Sequence, residues 1–168
     1  MNQWREKLLQ AVSACCEEGR AAADYLRERK THIGLWRARK SVGAFWLFTR
    51  SVYFNARHYS PEEALRNPFA WALLVHEVKH LQQGFFTALS IYGELEAWQI
   101  QFRVWKKITG AALPPVLEEL LALPLNFDRQ NLRRARRLMT DYAGVLYGAY
   151  LYPLYPLPQE IKYWLFRK

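Results

Sequence analysis

Thiols are almost absent from this chain: its only two cysteines are neighbours, Cys15-Cys16. Adjacent residues on a helix point in different directions and rarely bridge, so no disulfide framework is expected and a reducing, cytoplasmic location is. The first residues, Met1-Asn2-Gln3-Trp4-Arg5-Glu6-Lys7, lack the apolar segment of a secretory signal. No apolar run reaches the ~18 residues that cross a bilayer. The nearest candidate, residues 143–158, is uncharged but too short, and Pro153, Pro156 and Pro158 interrupt it. Low-complexity tracts, internal repeats and Gly/Ser linkers are missing too, so no internal boundary is visible and one domain over residues 1–168 is expected. Histidine is scarce, with four in all and none beyond His80.

Aromatic residues, by contrast, are abundant at 15%, within ordinary globular fractions of 51% hydrophobic and 23% charged residues. The formal net charge is +9, concentrated at Arg133-Arg134-Ala135-Arg136-Arg137 and Arg27-Glu28-Arg29-Lys30. Such runs serve either as solvated helix faces or as contacts for an anionic partner: nucleic acid, anionic lipid or an acidic substrate. No single-strand or helix-turn-helix signature accompanies them.

Hydrophobic spacing predicts one long amphipathic helix over residues 2–29, carrying Trp4, Leu8, Leu9, Val12, Cys15 and Cys16 near the helical period. Three short β-branched and aromatic pieces follow, at residues 32–36, 44–48 and 52–55, and are read as two or three antiparallel strands. Thr49-Arg50-Ser51 is the candidate hairpin turn. Ser60-Pro61-Glu62-Glu63 and Asn67-Pro68 are helix starts, the second opening a helix that runs to about Gln83 and stops at Gly84. A second helix over about 87–109 stops at Gly110, and the two form a hairpin around residues 84–86. Further helices are expected over 114–123 and 128–147, with the Pro-rich tail after Tyr152 extended until Gln159. The fold class is α+β, mainly α: a small antiparallel sheet, then the principal helix and its hairpin partner.

That principal helix carries His76-Glu77-Val78-Lys79-His80, an H-E-x-x-H pentapeptide. Residues four apart share a helix face, so both imidazoles can reach one ion from a single rigid element. Zn2+ suits neutral imidazole ligands, and Glu77, about 100° further round, lies beside the ion as the general base. A catalytic zinc takes three protein ligands and one open position. The hairpin brings Tyr92-Gly93-Glu94-Leu95-Glu96-Ala97-Trp98 alongside the motif, so Glu94 or Glu96 can complete a His₂Glu set while the other supports a ligand histidine. His32 and His58 are read as surface or capping residues.

The H-E-x-x-H helix followed by Glu94-Leu95-Glu96-Ala97 resembles the gluzincin zinc metallopeptidases, closer to their minimal single-domain and IrrE-like members than to two-domain enzymes. The resemblance covers about residues 44–105 and implies a zincin-like metallopeptidase domain with His76, His80 and Glu94 as metal ligands. It implies Glu77 as catalytic base, with Glu96 as the alternative ligand or a hydrogen-bond partner. It further implies a sheet whose edge strand holds extended peptide substrate, a role that chain order assigns to residues 52–55. Gluzincins use a late His or Tyr to stabilise the oxyanion, which makes Tyr142 and Tyr147 the candidates by position. Three positions depart from the stricter pattern: Lys79 inside the motif, Gln82 in place of an apolar residue, and Trp98 where Asp or Asn is usual. The expected activity is zinc-dependent hydrolysis of a peptide or protein substrate. The alternative is a non-catalytic, zinc-stabilised binding or regulatory protein with a basic surface.

Overall fold

The computed structural model describes residues 3–47 and 51–166, a mainly helical α+β chain with a three-stranded sheet. Residues 3–28 form two helices rather than one, α1 (Gln3–Cys15) and α2 (Glu17–Glu28), because Cys16 is extended and its Sγ accepts from the Gly19 amide at 3.3 Å. A straight helix would run about 40 Å and carry half its apolar face past the core. Broken here, the chain folds back, and Leu8, Leu9, Val12, Ala22, Ala23 and Leu26 share one core. Gly19 permits the close approach, since a Cβ there would lie 2.3 Å from the Val12 carbonyl oxygen.

Strands β1 (His32–Trp36), β2 (Ala44–Leu47) and β3 (Ser51–Asn55) form a sheet of order β1-β3-β2. The sheet is mixed, not wholly antiparallel: β1 runs parallel to β3, and only β2 pairs antiparallel to it. Buried Asn55 accounts for the difference. Its amide donates to the Arg39 and Val42 carbonyls at 2.8 and 2.7 Å, and its Oδ1 accepts from the Ala38 amide at 3.0 Å. These bonds tie residues 38–42 across the end of β3, so the chain leaves β1, passes that end and returns as β2. Of the expected turn and strand end, Phe48, Thr49 and Arg50 lie outside the described residues. Ile33, Val52 and Phe54 face the core, while Tyr53 meets His32, Trp36 and Phe45 on the other face.

Helix α3 (Pro61–Arg66) opens on a capping box between Ser60 and Glu63, and Asn67 caps α4 (Pro68–Gln83). A single turn, α5 (Phe85–Ala88), then precedes α6 (Ile91–Thr109), which Ser90 caps, so the hairpin turn is longer than the sequence suggests. Beyond it come α7 (Pro115–Ala122), α8 (Arg129–Ala143), two 3₁₀ turns (Val145–Tyr147 and Ala149–Leu151) and α9 (Leu157–Phe166). Helix α8 stops at Gly144, whose φ of 81° carries the chain out of the helix, short of the expected end near 147.

Helices α4 and α6 form the central pair. Helix α4 belongs to the core made with α1, α2 and the sheet; much of α6 belongs to a second core with α7, α8 and residues 149–155. The seam between the two helices holds the polar residues.

Candidate metal centre

Asn67 and Pro68 start α4 where its second half meets the first turns of α6, and that register brings His76, His80 and Glu94 together. All three are buried, at 5%, 2% and 5% exposure. The two Nε2 atoms are 3.0 Å apart; Glu94 Oε1 lies 3.5 Å from His80 Nε2, and Oε2 lies 4.0 Å from His76 Nε2. Ligand atoms about 2.0–2.1 Å from a tetrahedral ion stand about 3.3 Å from one another. The observed separations bracket that value, so this buried His-His-Glu group could hold a metal ion. Glu94 also sits in the first turn of α6, where the helix dipole favours a carboxylate.

Gln83, one turn beyond His80, orients that imidazole. Its amide nitrogen donates to the Gly93 carbonyl and to Glu96 Oε2, each at 2.9 Å, which leaves Oε1 to accept from His80 Nδ1 at 3.1 Å. With Nδ1 protonated, the Nε2 lone pair faces the other ligands. Glu96 therefore lies outside the ligand cluster. It binds Gln83 and pairs with Lys79 at 2.7 Å, so the lysine inside the motif faces away from the centre. Gln82 is likewise exposed.

Trp98 supports Glu94. Its indole N–H donates to the Tyr147 hydroxyl at 2.8 Å, and that hydroxyl donates to Glu94 Oε2 at 2.6 Å. Tyr147 is thus held on the carboxylate of the His-His-Glu group. Tyr142 packs edge-on against Trp98 and Phe102 and is partly exposed in the cavity wall. Buried His76 Nδ1 has no hydrogen bond of good geometry. Burial pushes the His76 pKa well below its ordinary value, as does neighbouring His80, while the Ala97 carbonyl and Gln101 side chain oppose the fall. A neutral imidazole is the form that binds a metal.

The cluster lines a cavity of about 540 Å³ together with Glu77, Tyr152 and the apolar walls of β2, α4 and α6. Burial, then the charge of Glu94, pushes the Glu77 carboxyl well above its ordinary pKa. A cation beside it would act in the opposite sense. Burial, reinforced by Glu94 and Glu77, takes the Tyr152 phenol to about 12. The strand at this wall is β2, an edge of the sheet, whereas residues 52–55, expected as the edge, belong to central β3. Once the chain crosses the end of β3, pairing on both sides of β3 leaves β2 beside α4.

The sequence singled out neither the role of Gln83 nor the pairing of Trp98 with Tyr147. Gln83 had a signal, because it lies three residues after His80 on the same helix face. Trp98 and Tyr147 meet across 49 residues of sequence, so their pairing had none. Of the basic run, Arg134 pairs with Glu119 and Arg136 donates to the Tyr152 carbonyl at 2.6 Å, leaving Arg133 and Arg137 exposed. His58 bonds the Lys40 carbonyl at 2.8 Å on the surface, and His32 lies beside Tyr53, both remote from the cluster. No helix among the described residues is long and apolar enough to cross a membrane. No protein-family model, curated protein or solved structure matches the chain.

Proposed function

We propose that the chain is a zinc-dependent hydrolase, a peptidase of gluzincin type. The observation that carries the reading is the convergence of His76 Nε2, His80 Nε2 and the Glu94 carboxylate on a cavity wall that also presents Glu77. Two imidazoles and one carboxylate, with neighbours that hold them in place, match the donor set of a catalytic zinc with one open position. A bound zinc ion supplies Lewis acidity, lowering the pKa of water towards about 7 and polarising a carbonyl. Glu77 accepts the proton of the attacking water as the new C–O bond forms, then passes it to the leaving nitrogen as C–N breaks. Tyr147 and Trp98 hold Glu94, and Gln83 holds His80, so the ligands need little reorganisation. The free β2 edge offers backbone groups along which an extended peptide can lie. The free thiols of Cys15 and Cys16 favour a reducing, cytoplasmic setting.

The burial of all three ligands also favours a second reading, a metal-stabilised binding protein without catalysis. One set of measurements separates the two. Metal analysis should find about one zinc per chain, lost in His80→Ala and in Glu94→Gln and kept in Glu77→Gln. A peptide pool should be cleaved by wild type, spared on chelation and spared by Glu77→Gln. Zinc without cleavage selects the second reading. Absence of zinc after incubation with excess metal removes both.

A further inference from the structure

Helix α9 faces the wrong way for a core helix. Its inner side is held by Tyr163, whose ring lies 4.2 Å from the Arg129 guanidinium, and by Glu160, 3.7 Å from Arg129 Nη1. Leu157, Ile161 and Leu165, at spacings of four and eight, form a stripe on the remaining side, flanked by Trp164, whose indole N–H donates to Glu160 at 2.9 Å. None of α9 is buried; Ile161 is 48% exposed and Leu165 71%. The stripe does not stand alone. Helix α9 lies against α5, where Phe85 and Phe86 are also more than half exposed, and Phe85 lines the metal-site cavity. The apolar surface therefore runs from α9 to the mouth of the cavity.

Its electrostatic setting selects the partner. Lys162 is exposed on α9, and Arg167 and Lys168 follow in the sequence. The one acid in α9, Glu160, is engaged by Arg129. A second copy of the chain would bring one +9 molecule against another. An anionic lipid surface supplies what the patch lacks, hydrocarbon for the aliphatic stripe, an interface for the flanking tryptophan and negative headgroups for exposed Lys162. We propose that α9 and α5 form a docking surface for an anionic lipid bilayer, which holds the cavity mouth at the membrane interface. Helix α9 lies in the interface plane and does not span. The proposal does not depend on the cavity's chemistry, because binding is read without turnover.

The test is sedimentation of the purified chain with vesicles of phosphatidylcholine alone and of phosphatidylcholine with about one-third phosphatidylglycerol. Binding to the anionic vesicles is expected, weakened by salt. Lys162→Gln should lower it about fivefold, and Ile161→Asp with Leu165→Asp by roughly tenfold or more. These positions are exposed, so circular dichroism should match wild type. Four outcomes would overturn the proposal: no binding to anionic vesicles, equal binding to both compositions, unchanged binding by the double variant, or lipid-independent self-association abolished by it.

Discussion

Gln83 is the residue on which the geometry of His80 depends. One side chain accepts a hydrogen bond from His80 Nδ1–H with its oxygen and ties α4 to α6 with its nitrogen, through Gly93 and Glu96. Shortening it frees the imidazole to rotate and to adopt the other tautomer. Gln83→Ala should therefore weaken metal binding by about 10–100-fold, measured by competition with a chromophoric chelator. Glu96→Gln should cost less, because a neutral amide oxygen still accepts from Gln83. If Glu96→Gln abolished binding while Glu94→Gln spared it, the ligand assignment would be reversed. Tyr147 plays the corresponding part for Glu94. Burial and the charge of Glu94 keep its phenol pKa well above the ordinary value, so it stays protonated and donating across the neutral range.

The α4–α6 hairpin is the element that makes the centre, and its turn tolerates little change. A Cβ at Gly93 would stand 2.0 Å from the Thr87 carbonyl oxygen, and that backbone atom cannot swing aside as a side chain would. Gly93→Ala should cost on the order of 3 kcal/mol and lower the melting temperature by roughly 5–10 °C. Metal affinity should fall with it, because Glu94 is the next residue. Gly110→Ala is the control. Gly110 caps the far end of α6 at φ 65°, where an added Cβ would meet nothing within 4 Å, so the substitution should cost about 1 kcal/mol through backbone strain and leave metal binding intact. Equal melting temperatures for the two variants would refute the account of the turn. In the sheet, Asn55 plays a comparable organising part by fixing the crossover that makes β1 and β3 parallel.

For the whole molecule, the buried polar seam makes stability depend on pH. Two cores meet along the α4–α6 seam, with Trp105 packed against both, and the seam encloses a carboxyl and an imidazole that burial holds towards their neutral forms. A carboxyl whose pKa is raised on folding contributes fully below its unfolded value of about 4.3, and that contribution is lost as pH rises through the folded value. In chelator-treated protein, Glu77→Gln should therefore melt progressively higher than wild type as pH rises from about 4.5 to 8. The gap should amount to about 2–4 °C for each kcal/mol of relief. Zinc should close much of it, because a nearby cation favours the ionised carboxylate. A gap constant across that pH range would show that Glu77 is not held towards its neutral form.

Local signals in the sequence determined the strand positions, the start and stop of α4, the two-histidine helix face and the hairpin that brings a glutamate to it. These follow from periodicity, from capping by Ser60 and Asn67, and from the four-residue spacing of His76 and His80, all properties of a few neighbouring residues. Only the tertiary structure decided that α1 and α2 break at Cys16 and that β1 joins β3 in parallel. Tertiary packing likewise separated Glu94 from Glu96 and brought Trp98 and Tyr147 to support Glu94 beside the histidines. The physical reason is common to these cases. Glutamates two apart on a helix differ by about 200° in direction, and which of them meets the histidines depends on how α6 rotates to bury Leu95, Trp98 and Phe102. That rotation is set by packing against α7 and α8, whose contacts with α6 join residues far apart in the chain.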